Sequence, residues 1–129
     1  EPAFGIDRIL WHVLDHAFVE TEKGGEPYRM LQLSESIAPI DVAILPLFEK
    51  DGMDAIAQAI HQRCCQTFGI VSLYDASGSI GKRYARADEV GVPICVTIDH
   101  QSVEDNTVTI RRRDDGSQSR VSIDKLPFF

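Results

Sequence analysis

Ile9, Leu10, Val13, Leu14, Ala17 and Phe18 recur at helical spacing near the start of the chain, and Asp7 stands where an N-cap belongs. This spacing predicts an amphipathic helix over Asp7 to Phe18. Val19 to Ser36 is polar, with Gly24-Gly25 and Pro27 and little periodicity. It reads as a linker or a loose hairpin, and as a natural boundary. From Ile37 the pattern becomes regular. Asp41 to Leu47 is a continuous apolar run, as in a strand buried on both faces. Asp51-Gly52 opens a helix with Met53, Ile56, Ile60 and Cys64 on one stripe and Gly69 placed to end it. Ile70 to Tyr74 is a second strand and Asp75 to Ser79 a turn. Ile80 to Val90 is a further helix stopped by Gly91. Ile94, Val96 and Ile98 alternate in a third strand, Val108 and Ile110 in a fourth, and Arg120 to Ile123 form a fifth. Leu126-Pro127-Phe128-Phe129 looks like the start of another helix.

From residue 37 the order is therefore β-α-β-α-β-β-β, an α/β class with a mixed five-stranded sheet and flanking helices. Strands separated by helices pair parallel through right-handed crossovers, and the trailing strands are free to pair antiparallel.

A chain of 129 residues supports one compact domain with a short appendage and needs no disulfide or metal staple. No apolar run approaches membrane-spanning length, and no basic-then-apolar leader opens the chain. An opening Glu1-Pro2 without a methionine suggests a piece of a longer protein. Cys64 and Cys65 are adjacent and Cys95 stands alone, which points to a reducing compartment and a cytoplasmic location. The net charge of −7 disfavours a nucleic-acid partner when taken alone, but the charge is unevenly spread.

Two basic clusters stand out. Lys82 and Arg86 lie one turn apart on a face opposite Ile80, Tyr84, Ala87 and Val90. Arg83 falls at the edge of that apolar face, where it would hold a buried carboxylate or cap a loop. In Arg111-Arg112-Arg113, alternation puts Arg111 and Arg113 on the side of Thr107 and Thr109, away from Val108 and Ile110. Two readings stand for that strand. It is a charged edge paired with Asp114 and Asp115, or it aims two guanidinium groups at one target. Asp75, Asp88 and Glu89 flank the first cluster and suit helix-end or salt-bridge roles better than acid–base work.

Ser77-Gly78-Ser79-Ile80-Gly81-Lys82 lies between a strand and a helix but fails the P-loop pattern, since Arg83 follows Lys82. A serine-capped helix start is expected there. His12 and His16 have a zinc-chelating spacing, but Asp15 between them has too short an arm for a general base. Cys64 and Cys65, if helical, point about 100° apart. No metal site is expected.

Glu1-Pro2-Ala3-Phe4-Gly5-Ile6-Asp7-Arg8 resembles motif 3 of class II aminoacyl-tRNA synthetases, in the form used by glycyl-tRNA synthetases of the archaeal and eukaryotic type. Leu14-Asp15-His16-Ala17-Phe18, Ile37-Ala38-Pro39-Ile40, Leu45-Pro46-Leu47 and the run from Gly78 to Pro93 resemble that family too. So do Val96-Thr97-Ile98-Asp99 and the run from Thr107 to Asp114. The resemblance spans essentially the whole chain.

It implies an anticodon-binding domain over 37–129, a linker over 21–36, and over 1–20 the end of a catalytic domain contributing one helix. By resemblance, Gly5, Ile6, Asp7 and Arg8 contact ATP, and Glu1, Pro2, Ala3, Phe4 and Gly5 contact glycine. Ala3 stands where the family usually has serine. Lys82 and Arg113, helped by Arg83, Arg86 and Arg111, are implied to read the anticodon cytosines. The implied partners are tRNA(Gly), glycine and ATP with Mg2+, in an enzyme that is a homodimer at full length and has no membrane partner. The piece alone holds no cofactor and no catalytic residue and is expected to be inactive. Alternatives are the histidyl, threonyl or prolyl branch, or a synthetase-like accessory protein that binds nucleic acid without catalysis.

Overall fold

A computed structural model describes residues 2–67 and 69–126. Helix α1 (Ile6–Ala17) starts one residue earlier than expected, with Gly5 rather than Asp7 as its N-cap. Of its apolar stripe only Ala17 is buried; Ile9, Leu10 and Trp11 lie open to solvent. Strands β1 (Phe18–Lys23) and β2 (Glu26–Leu31) follow as an antiparallel hairpin, the loose-hairpin alternative for this segment. Gly24 and Gly25 form its turn with φ of 63° and 83°, values that L side chains adopt at a cost and glycine adopts freely.

The main sheet begins with β3 (Val42–Pro46), which is buried along its whole length. Helix α2 (Met53–Thr67) leads to β4 (Ser72–Tyr74), and α3 (Ile80–Glu89) leads to β5 (Ile94–Ile98). A short helix α4 (His100–Asp105) precedes β6 (Thr107–Arg112) and β7 (Gln118–Ser122), and a 3-10 turn over Ile123–Lys125 follows. The strand order is β4-β3-β5-β6-β7. The strands separated by helices pair parallel and the trailing ones antiparallel, as expected.

Helix α4 was not anticipated. Its cause is local: Asp99 is the N-cap, and its side chain accepts from the Ser102 amide while the Ser102 hydroxyl accepts from the Asp99 amide. The helix expected to start at Leu126 falls on 127–129, outside the described residues.

The alternation of β3, β5 and β6 sends two different sets of side chains to the two sheet faces. Val42, Ile44, Ile94, Val96, Ile98, Val108 and Ile110 meet Met53, Ala57, Ile60 and Cys64 of α2. Ala43, Leu45 and Cys95 meet Tyr84 and Ala87 of α3. Both faces are therefore covered, which is why the parallel strands read as unbroken apolar runs.

Candidate nucleic-acid interface

The chain between β4 and α3 is held by arginines reaching back from the helix. Asp75 accepts from the Ser77 amide at 2.9 Å and the Ser77 hydroxyl at 2.8 Å, which closes a tight turn. Arg86 donates to the other oxygen of Asp75 at 2.6 Å and to the Ser77 carbonyl at 2.7 Å. Burial alone would raise the Asp75 pKa. The Ser77 amide, the Arg86 guanidinium and the Ser77 hydroxyl together outweigh it and hold the carboxyl below its ordinary value. Arg83 is buried and donates to the carbonyls of Gly78 at 2.8 Å, Ser77 at 3.3 Å, and Pro46 at the end of β3. It thus caps a loop, one of its two expected roles. Ser79 occupies the N-cap position of α3 but makes no side-chain cap bond, so the expected serine cap is not formed.

This arrangement leaves Lys82 exposed on the first turn of α3, with no hydrogen-bond or ion-pair partner among the described residues. Arg86 lies beside it: a Cβ built on Gly78 would stand 3.9 Å from Lys82 Cδ and 4.0 Å from Arg86 Nη1. The Arg83–Pro46 bond places this turn at the carboxyl end of β3. Two exposed rings share that end of the sheet. Phe48 follows β3 and His100 follows β5; their centroids are 5.9 Å apart. Neither ring carried a signal by its sequence position alone. Carboxyl ends of parallel strands, where successive connections leave to opposite faces, are the usual ligand-binding edge of such sheets.

The second basic cluster has a different fate. Arg111 and Arg113 do lie on the side of Thr107 and Thr109. That side faces α3 and the hairpin, however, not solvent. Arg111 donates to both oxygens of Asp88 at 2.9 and 3.0 Å and lies 4.8 Å from the centroid of the Tyr84 ring. Asp88 is fully buried and also accepts from the Tyr28 hydroxyl of β2. Burial first, and then the bond to Asp88, raise the Tyr28 pKa to about 12. Arg113 donates to the carbonyls of Gly91 at 2.9 Å and Leu33 at 2.7 Å, and to Asp114 at 2.7 Å. The expectation that this strand presents two guanidinium groups to one external target is therefore corrected. Both groups are buried, and their donors are spent on bringing the hairpin and α3 together. Only Arg112 of the three faces outward, 3.5 Å from Glu35.

Tyr28 was missed because its partner Asp88 lies 60 positions away. Asp99 likewise pairs with Arg120 through two bonds of 2.8 Å, tying β7 to the cap of α4. Those bonds, against burial and with help from Ser102, hold the Asp99 carboxyl far below its ordinary range.

Of the segment that resembles motif 3, Pro2, Ala3, Phe4, Gly5, Ile6, Asp7 and Arg8 are exposed, and Glu1 lies outside the described residues. Gly5 is the N-cap of α1. Among the described residues Arg8 has no ion-pair partner, and Ile6 lines an open apolar depression with Ile9, Leu10 and Leu33. His12 and His16 are exposed with ring centroids 6.4 Å apart.

A family model described as the anticodon binding domain matches residues 41–128. The chain belongs to that family. The match begins one residue before β3, and the five-stranded sheet, α2, α3 and α4 all fall inside it. Among curated relatives of this anticodon-binding domain, the glycine–tRNA ligase of Archaeoglobus fulgidus is 49% identical over 127 residues, which cover 98% of this chain and 22% of that protein. The glycine–tRNA ligase of Methanocaldococcus jannaschii is 50% identical over 126 residues, covering 98% of this chain and 21% of that protein. The chain thus spans about a fifth of the length of these relatives. A crystal structure of prolyl-tRNA synthetase from Cryptosporidium parvum superposes with a TM-score of 0.67 at 20% identity, covering 74% of this chain and 21% of that one. At that identity the likeness concerns the fold. The chain is an anticodon-binding domain homologous to glycine–tRNA ligases, and the glycyl reading is better supported than the histidyl, threonyl and prolyl alternatives.

Proposed function

We propose that this chain is the anticodon-reading part of a glycine–tRNA ligase, and that its partner is tRNA(Gly). The observation that carries the reading is identity near one half along 98% of the chain to proteins named for that activity. RNA contact falls to the exposed Lys82 and the half-exposed Arg86 at the carboxyl edge of the sheet. An ammonium with no partner among the described residues is available to a phosphate or a base edge. Arg83, Arg111 and Arg113 act indirectly, by fixing the loop and helix that present those groups.

The full enzyme, in this reading, joins glycine and ATP into an adenylate and then passes glycyl to tRNA. Gly5, Ile6, Asp7 and Arg8 belong to its ATP site, and Glu1, Pro2, Ala3, Phe4 and Gly5 to its glycine site. A planar guanidinium with no ion-pair partner among the described residues suits Arg8 to the charge of a reacting triphosphate. Ala3 removes a hydroxyl from the glycine side. The exposed apolar face of α1 fits a segment that is covered by the rest of a catalytic domain. Mg2+ accompanies ATP in the full enzyme, the full enzyme is a homodimer, and its compartment is the cytoplasm. No described helix is long and apolar enough to cross a membrane.

The test is direct binding of the chain to tRNA(Gly), together with pyrophosphate exchange. Binding without exchange is the expected result. Exchange by the chain alone would remove the division of labour proposed here, and absence of any tRNA binding would remove the reading itself.

A further inference from the structure

Asp51-Gly52 and Asp115-Gly116 are the two Asp-Gly pairs of the chain, and both lie exposed between elements. An aspartate before glycine is open to ring closure on its own main chain, because no side chain shields the glycine amide. The fold treats the two pairs differently. The Asp115 carboxylate accepts from the Ser117 amide at 2.9 Å, and the Gly116 amide donates to the Arg112 carbonyl at 3.0 Å. Hydrogen bonds from Ser117 hold the Asp115 carboxyl below its ordinary value. An ionised carboxylate has no hydroxyl to lose, and an amide committed to an acceptor is a poor nucleophile. Both reacting groups of this pair are engaged.

At the other pair both groups are open. The Met53 amide donates to the Lys50 carbonyl at 3.2 Å, and Asp51 and Gly52 have φ of 58° and 86°. They occupy the two central positions of a primed turn. Among the described residues the Asp51 carboxylate and the Gly52 amide have no hydrogen-bond partner. Asp51 and Asn106 are the non-glycine described residues with positive φ, and Asn106 is the C-cap of α4. Left-handed backbone is costly for an L residue. One added main-chain methylene at Asp51 supplies a further rotatable bond and removes that demand.

We propose that Asp51 is a site of spontaneous, fold-selected isomerisation to isoaspartate. The Gly52 nitrogen attacks Cγ of the protonated Asp51 carboxyl. The N–Cγ bond forms, and the carboxyl hydroxyl leaves with the amide proton as water, closing a five-membered imide. Water then adds to the imide. Breaking the N–Cγ bond restores aspartate. Breaking the bond from the Gly52 nitrogen to the Asp51 main-chain carbonyl carbon gives isoaspartate, with a free α-carboxylate and one more methylene in the main chain. Nothing is oxidised or reduced, and the mass returns to its starting value. The change falls just before Met53, which is fully buried at the start of α2. The reaction needs no tRNA, and its outcome does not bear on the tRNA reading.

The test incubates the 129-residue chain at neutral pH and physiological temperature. Isoaspartate is then counted at each pair by peptide mapping, and by methyl transfer from S-adenosylmethionine with an isoaspartyl carboxyl methyltransferase. Isoaspartate is expected to build up about tenfold faster at Asp51 than at Asp115, the rate factor set by two hydrogen bonds at one pair and none at the other. In denaturant the two rates converge, because the difference belongs to the fold. Asp51→Asn speeds ring closure at this site, since ammonia leaves more readily than hydroxide. Asp51→Glu, whose ring would need six members, removes the label there and leaves Asp115 unchanged. Equal labelling of the two pairs in the folded chain overturns the proposal. So does a difference that persists in denaturant, or an Asp51→Asn chain that stays unmodified at this position.

Discussion

Arg111 on β6 grips Asp88 on α3 through two parallel hydrogen bonds of 2.9 and 3.0 Å, and Tyr28 of the hairpin donates to the same carboxylate. Three elements meet on one buried charge. Removing one partner leaves the other charge without compensation in a dry site. Arg111→Ala and Asp88→Ala are each expected to cost about 3–5 kcal/mol in chemical denaturation. Replacing the set together, with Asp88→Leu, Arg111→Met and Tyr28→Phe, recovers most of that loss. A loss below about 1 kcal/mol for either single change would show that the pair is solvated and not the centre of this contact.

The raised pKa of Tyr28 gives a stability signature at high pH. An isolated tyrosine titrates near 10, and in the fold Tyr28 titrates at about 12. The native state thus holds this proton more tightly than the unfolded chain. The associated stability is fully present below about pH 10 and is lost as pH rises through about 12. Comparing denaturation midpoints at pH 8 and near 11 checks this. The wild type falls more steeply than Tyr28→Phe, and parallel curves would contradict the raised pKa of Tyr28.

Gly91 sits where α3 turns into the hairpin contact, with φ of 84°. A Cβ there would lie 2.8 Å from Leu33 Cδ1 and 3.3 Å from the Leu31 carbonyl oxygen. Gly91→Ala is therefore expected to cost about 1–3 kcal/mol through positive φ and the clash together. Hydrogen exchange should quicken selectively across 26–33, the strand and loop that Gly91 receives. Uniform acceleration over the whole domain would point to a general loss of stability rather than a detached hairpin.

Much of this organisation is legible in the residues, and the limit has a physical cause. Alternation along β6 assigns Arg111 to the correct face, because side-chain direction is local. Whether that face is open or covered depends on Tyr28 and Asp88, which are 83 and 23 positions away in the chain. No local pattern carries that information, so arginines that build the interior read as arginines that bind outside it. Gly91 and Gly69 end their helices where expected, since positive φ at a helix end is a local demand. Helix α4 carried a readable cue in Asp99 and Ser102, but its six residues are too few for apolar periodicity to register. The exposed α1 face shows the converse: an amphipathic stripe predicts the helix without saying what covers it.

Variants at Lys82 and Arg113 are expected to separate recognition from architecture. Lys82→Ala is expected to leave thermal stability unchanged and to reduce the slope of log affinity for tRNA(Gly) against log salt by about 1. Arg113→Ala lowers the melting temperature, because it frees the Gly91 and Leu33 carbonyls from their donor. If Arg113→Ala weakened tRNA binding with no loss of stability, the guanidinium would have to reach solvent, contrary to its burial here.

The most direct test compares binding of the 129-residue chain to tRNA(Gly) and to the same tRNA with its anticodon cytosines replaced. The account predicts a loss of about tenfold or more on replacement, equivalent to at least about 1.4 kcal/mol. That preference should shrink in Lys82→Ala. Equal affinity for the two tRNAs would contradict the claim that this domain reads the glycine anticodon.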